Sequence, residues 1–140
     1  MIRLPTPDDL DRLLAMVHAL AAHHGDPAAC TRAALERDVF GPDALLTVFI
    51  TEGGYVALFP VAALHWGIRG AEMHHLFVAA DRRGTGLGRA LVATAVDWVR
   101  ASGGSFLALG THPENQKARD FYAALGFETF DPGARMRLKF

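Results

Sequence analysis

Apolar residues fall along this chain in two rhythms, one of three to four positions and one of two. Between Thr6 and Gly25, Leu10, Leu13, Leu14, Val17 and Leu20 take the helical spacing and mark one face of an amphipathic helix. Thr6 suits its N-cap, Pro7 its first helical position, Asp8 and Asp9 its positive end, and Gly25 its stop. A second helix is expected from Pro27 to about Val39, with Ala29, Ala33 and Leu35 on its apolar side and Gly41-Pro42 ending it. "LLTVFITE" and "YVALFPVAALHW" flank Gly53-Gly54 and predict a hairpin, with Pro60 at a bulge or an edge position. "AEMHHLFVAA" predicts another strand, residues 87–101 a helix, "SFLALG" a short buried strand, and "PENQKARDFYAALGF" a helix between Pro113 and Gly126. "MIRL" reads as an opening strand, and "FETF" and "ARMRLKF" as a closing pair joined at Asp131-Pro132-Gly133. The predicted order is β α α β β β α β α β β. This is an α/β chain, with a mixed sheet and helices against its faces, in one domain over residues 1–140.

One stretch breaks both rhythms. In "DRRGTGLGRALV", Gly84, Gly86 and Gly88 alternate with Thr85 and Leu87 between a predicted strand and a predicted helix. The first N–H groups of a helix lack intrahelical partners and carry the positive end of its dipole. Glycines let a ligand reach that backbone, so the stretch predicts an anion site suited to phosphates. Arg82, Arg83 and Arg89 stand against Asp81 alone and add positive charge. A Walker loop needs Lys and then Ser or Thr after its last glycine, and Arg89-Ala90 stands there instead. A dinucleotide fingerprint needs a glycine where Arg89 stands and an acidic residue closing the next strand, and "SFLALG" has none.

The pattern Arg-x-x-Gly-x-Gly, met by Arg83, Gly86 and Gly88, resembles the coenzyme A loop of the GNAT N-acetyltransferases. "MHHLFVAADRRGTGLGRALV" is similar to that family's strand, pyrophosphate loop and helix without a gap. Downstream, Asn115, Ala118, Tyr122, Gly126 and Phe127 fill the family's second signature, Asn-x-x-Ala-x-x-x-Tyr-x-x-x-Gly-Phe. The element order fits over nearly the whole chain. The resemblance implies transfer of the acetyl group of acetyl-CoA to an amine. It implies that the backbone of Leu76, Phe77 and Val78 pairs with the pantetheine arm like an added strand. It implies that the pyrophosphate lies on the N–H groups of Arg83, Gly84, Thr85, Gly86, Leu87, Gly88 and Arg89, with the Arg83 and Arg89 side chains near it. Tyr122 would protonate the leaving thiolate, and Asn115 would contact coenzyme A or cap its helix.

The amine must shed a proton before it attacks. GNAT enzymes often carry a base, or a carboxylate that holds water, on the strand before the loop. Regular alternation puts Glu72 and His74 on one face of that strand and His75 on the other. His74 is preferred for its ordinary pKa of about 6.5, with Glu72 second; a bulge would change which residue faces the acceptor. "FGPDALLTV" loosely resembles the diamine and polyamine acetyltransferases, yet His74-His75 stands where those enzymes have acidic residues. A mono-amine, an amino-acid-like amine and a diamine all stay open.

Composition sets bounds on partners. The chain has 140 residues, 51% of them hydrophobic and 21% charged, enough for a core without staples. Its formal net charge of −1 argues against general nucleic-acid binding. Cys30 is the single cysteine, which suits a reducing cytoplasm. No apolar run reaches the ~18 residues of a membrane span, the N-terminus lacks a secretory pattern, and the scattered histidines show no metal-ligand spacing. The expected partner is a small-molecule amine, with no metal, no nucleic acid and no membrane. The family resemblance adds a homodimer. A peptide acetyltransferase and a non-catalytic acyl-CoA-binding module are the alternatives; Tyr122 favours an enzyme over the latter.

Overall fold

The computed structural model describes residues 1–130 and 135–140. These form two compact units, Met1–Gly110 and Thr111–Phe140.

In the first unit, a 3-10 turn over Pro7–Asp9 leads into α1 (Leu10–His23), and α2 (Arg32–Val39) follows. The unit continues with β1 (Thr47–Thr51), β2 (Gly54–Ala63), β3 (Ile68–Val78), α3 (Leu87–Ala101) and β4 (Phe106–Ala108). The sheet has four strands in the order β1-β2-β3-β4. β1, β2 and β3 are antiparallel neighbours, and β4 lies parallel to β3 after the α3 crossover. This is the mixed α/β architecture that the sequence predicts.

Two apolar layers hold the sheet. On one face, Leu10, Leu13, Met16 and Leu20 of α1 and Leu35 of α2 pack on Val48, Ile50, Tyr55, Ala57 and Phe77. The alternate residues Val56, Leu58, Ala71 and Met73 are also buried, as are Leu91, Val92, Ala95 and Val99 on the inner stripe of α3, which packs on β2 and β3. The start of α1 is tied down by charge. The buried Asp9 carboxylate takes a fork from Arg3 at 2.7 and 2.9 Å, Arg12 Nη2 at 2.9 Å and the Thr6 N–H at 2.8 Å. These donors hold it well below the usual carboxylate range, the Arg3 hydrogen bond most of all.

Several expectations are corrected. "MIRL" is not a strand: only Arg3 bridges, to Ile50, and Pro5 follows too closely for a ladder to grow. α2 starts at Arg32 rather than near Pro27, because the Thr31 hydroxyl accepts from the Ala34 N–H at 3.1 Å and so sets the cap there. Residues 64–66 leave the strand in a 3-10 turn closed by Gly67 at φ 66°. β3 begins at Ile68, three residues early, and Gly70 is what lets β4 approach. A Cβ at Gly70 would lie 2.4 Å from the Phe106 carbonyl oxygen. Pro60 takes the edge position, beyond Leu58, where β1 stops pairing. No helix among the described residues is long and apolar enough to cross a membrane.

In the second unit, α4 (Gln116–Ala124) starts at Asn115, whose Oδ1 accepts from the Ala118 N–H at 3.1 Å. The expected closing hairpin is absent among the described residues: 127–130 and 135–140 are not in strands. Met136, Leu138 and Phe140 are exposed, so this segment buries no apolar face that would hold a strand pair. The expected turn at Asp131-Pro132-Gly133 lies outside the described residues.

Candidate active site

Between β3 and α3 the chain makes a 3-10 turn over Ala80–Arg82, passes through Arg83 in extended form, and then turns through Gly84 and Gly86. These two glycines have φ of 75° and 88°, and a Cβ on either would meet nothing within 4 Å. Left-handed backbone, not crowding, is therefore what demands glycine at both positions. The space in front of them is open. Gly86 is the N-cap of α3 and supplies no side chain, and the first turn holds no acidic residue. Its carbonyl accepts the first helical bond, from the Ala90 N–H at 3.0 Å. The N–H groups of Leu87, Gly88 and Arg89 thus lack intrahelical acceptors at the positive end of a 15-residue helix.

The arginines divide their work. Arg82 lies over Gly53, where its Cγ would be 2.7 Å from an added Cβ. Arg83 turns back, its Nε donating to the Val78 carbonyl at 3.1 Å. Arg89 is exposed in the first turn of α3. Thr85 Oγ1 donates to the Arg82 carbonyl at 2.5 Å and closes the loop.

β3 continues past its partner. β4 pairs with it only from Gly70 to Glu72, whereas β3 runs on to Val78. The Ala79 N–H donates to the Gly53 carbonyl at 2.8 Å, so alternation turns the main-chain groups of Phe77 toward β2 and those of Leu76 and Val78 to the far edge. Within this unit, Leu76 and Val78 therefore offer strand-pairing groups on a side that β4 leaves free, and one of them already engages Arg83.

The histidines depart from alternation. Ala57 pairs with His75 and Leu58 with Met73, which leaves His74 as the extra residue of a β-bulge. Two consequences follow. The His74 and His75 rings lie stacked, centroids 4.2 Å apart and 13° from parallel, rather than on opposite faces. Glu72 pairs with Phe59, two residues along from Ala57, so Glu72 and His75 both face α1 and α2. The expectation that His75 points away from Glu72 and His74 is thereby overturned: one inserted residue shifts the parity of the strand. His74 is exposed and its ring also lies 5.9 Å from that of Phe59.

Sequence reasoning missed what stands behind this pair. Tyr55 is 1% exposed, and its hydroxyl shares a 3.0 Å hydrogen bond with His75 Nδ1. Burial raises the phenol pKa and keeps the hydroxyl protonated. Burial, with smaller contributions from His74 and His24, pushes the His75 imidazole down to about 4, so it is neutral near pH 7. Both histidines and Tyr55 line a cavity of about 230 Å³ between α1, α2 and the sheet, whose walls include Leu13, Val17, Val39, Leu46 and Cys30. Burial also raises the Cys30 thiol. No motif signals this cavity; alternation in "YVALFPVAALHW" marks Tyr55 only as an inward residue. A larger hollow of about 400 Å³, lined by Pro60, Arg69, Trp98 and Gly104 among others, touches none of the expected site residues.

Tyr122 and Asn115 belong to the second unit. The Tyr122 ring meets Phe121 and Phe127 edge-on, at 5.1 and 5.5 Å, and its burial raises the phenol pKa. Asn115 caps α4, as above. Among the described residues no cluster of His, Cys, Asp and Glu is arranged to hold a metal.

The chain is similar to known proteins in sequence and in fold. The family model "Acetyltransferase (GNAT) family" matches residues 8–127. A mycothiol acetyltransferase from Pseudarthrobacter chlorophenolicus is 33% identical over 131 residues, which cover 88% of this chain and 40% of that protein. An uncharacterized N-acetyltransferase from Methanocaldococcus jannaschii is 41% identical over 58 residues, 41% of this chain and 26% of the other. The chain thus spans less than half the length of these curated relatives. The crystal structure of a candidate acetyltransferase from Arthrobacter sp. FB24 aligns with a TM-score of 0.79 at 27% identity, covering 100% of this chain and 92% of that one. A ribosomal-protein-alanine N-acetyltransferase from Brucella melitensis biovar Abortus 2308 shares the fold, with a TM-score of 0.80 at 19% identity over 99% of both chains. With a match that runs from the start of α1 through the glycine loop to Phe127, this chain belongs to the GNAT acetyltransferase family.

Proposed function

We propose that this chain is an N-acetyltransferase that moves the acetyl group of acetyl-CoA directly to the primary amine of a small molecule. One observation carries the reading. The bare amides at the start of α3 are continuous, through Arg83, with the free edge of β3 at Leu76 and Val78, and that strand leads back to the bulged histidines. Residues 83–89 suit a diphosphate, because main-chain N–H groups and the helix dipole offer fixed positive ends. Leu76 and Val78 suit an amide-bearing arm, which would pair as an added strand. Acetyl-CoA supplies both groups and the activated acetyl. Residues 1–110 and 111–140 act in this reading as one catalytic domain.

The remaining work is proton transfer. An alkyl amine with a pKa of about 10.4 is neutral in about one molecule in 2,500 at pH 7, a handicap of about 4.6 kcal/mol. His74, exposed beside neutral His75, is the base we assign, with Glu72 on the same face as the second candidate. Tyr122 is assigned as the acid for the leaving thiolate; its raised pKa keeps the proton in place until that charge develops. Asn115 is assigned a coenzyme A contact in addition to its cap. The likeness of "FGPDALLTV" to diamine and polyamine enzymes makes alkyl amines the acceptors to try first. Homodimeric assembly and a reducing, cytoplasmic setting complete the reading.

The test is thiol release from acetyl-CoA across a panel of amines and peptides. Tyr122→Phe is expected to lower kcat by about 10²-fold or more while acetyl-CoA affinity stays nearly constant. A change in affinity alone removes the acid role. Turnover of peptides only, with no small amine used, overturns the acceptor class.

A further inference from the structure

We infer that the cavity beneath α1 and α2 takes the carbon body of the acceptor, and that the acceptor it fits is a small primary monoamine with an uncharged, apolar tail. This deepens the proposed function and rests on it. The bulge turns both His74 and His75 into this cavity, so an amine presented to either imidazole has its substituent inside it. The wall is built of Leu13, Val17, Val39 and Leu46, which reward apolar contact. The volume, about 230 Å³, lies below the range of drug-sized pockets and corresponds to about eight water volumes. A tail of under about ten heavy atoms fills that volume.

Charge narrows the class further. Asp38 is the one carboxylate among the described lining residues. Both its oxygens are taken by the Arg37 fork, from Nε at 2.8 Å and Nη2 at 2.9 Å. A second ammonium on the acceptor would enter an apolar space whose counter-charge is already occupied, and would lose hydration without a partner. No lysine or arginine is among the described lining residues, so an acceptor carboxylate gains nothing either. His75 adds no positive charge, since its imidazole is half-buried, bonded to Tyr55 and neutral near pH 7. The wall is also braced: His18 Nε2 meets the Cys30 carbonyl at 2.7 Å and ties α1 to the segment that leads into α2.

The test uses the full chain at saturating acetyl-CoA, with thiol release as the readout. Linear alkylamines from two to ten carbons are compared with diamines of equal length and with amino acids. For monoamines, kcat/KM is expected to rise about fourfold per methylene, the factor for burying one CH₂, until the cavity fills, and then to fall. Diamines and amino acids are expected to run at least tenfold below monoamines of equal length. Arg37→Gln, on an exposed side chain, frees the Asp38 carboxylate and is expected to narrow the diamine gap severalfold. Ala34→Leu, inside the cavity, is expected to move the optimum to a shorter amine, with the thermal midpoint reporting that the chain still folds. Diamines equal to or better than monoamines overturn the inference, as does a rate flat with chain length, and in both cases acetyl transfer itself stands. An unmoved diamine gap in Arg37→Gln overturns the charge argument. No thiol release with any amine, together with no heat of acetyl-CoA binding, overturns the proposed function and the inference with it.

Discussion

Replacing His75 with glutamine isolates the cost of burying a neutral imidazole. His75 is half-buried, bonded to Tyr55 through Nδ1, and its pKa is pushed down from 6.5 to about 4, chiefly by burial. The folded state therefore binds its proton later than the unfolded state does. Stability from this group is fully present above pH 6.5 and drains away as pH falls toward 4, because the unfolded chain gains the proton first. From pH 7 to pH 5, linkage between those two values gives a loss of about 2 kcal/mol. Solvent screening at a half-buried ring reduces this to about 1 kcal/mol. Urea titrations of the native chain should therefore show a midpoint lower at pH 5 than at pH 7 by about 0.5 M, for a slope of about 2 kcal/mol per molar. Glutamine keeps a polar side chain but has no proton to gain. His75→Gln should be less stable at pH 7, through the lost Tyr55 contact, yet should lose about 1 kcal/mol less on acidification. The difference between the two proteins removes every other titrating group from the comparison. Equal acid-induced losses in both would refute the reasoning, since His75 would then have the same proton affinity folded and unfolded.

Gly86→Ala forces an alanine into left-handed backbone at φ 88°, at a cost of about 1–2 kcal/mol; calorimetry with acetyl-CoA should show affinity down about tenfold, and an unchanged affinity would detach the loop from the cofactor. Gly70→Ala drives a Cβ to 2.4 Å from the Phe106 carbonyl oxygen, which backbone cannot easily yield, so the thermal midpoint should fall by about 3–10 °C as β3 and β4 part. Asp9 is held below its ordinary 3.8 by Arg3, so its contribution to stability is full above that value and is lost progressively as pH falls from it toward the lower folded-state value; Asp9→Asn should lower the midpoint by a few degrees at pH 7 and should lose less on further acidification to pH 3, measured by circular dichroism.

Much of this protein is local and could be read along the chain. The stripe from Leu10 to Leu20 made α1, Gly53 at φ 77° made the turn between β1 and β2 with Glu52 while Gly54 opens β2, and the glycines at 84 and 86 announced the loop that starts α3. These depend on neighbours within a few residues, through side-chain periodicity, capping and permitted φ, and so the sequence alone determined them. Even the family lay in two short motifs. Other features depend on pairing between distant segments. That His74 is the extra residue of a bulge follows from how β3 registers on β2, and no spacing in "EMHHLFV" encodes it. The bulge reverses the strand's parity, brings His74 over His75, and turns Glu72 to the same side. Tyr55 meeting His75, the Arg37 fork occupying Asp38, and the hollow under α1 and α2 arise the same way, from side chains made neighbours by packing. Sequence determined where an anion could rest on bare backbone; only the tertiary structure decided which imidazoles share a face and what space opens in front of them, because strand register is fixed by contacts across the sheet rather than along the chain.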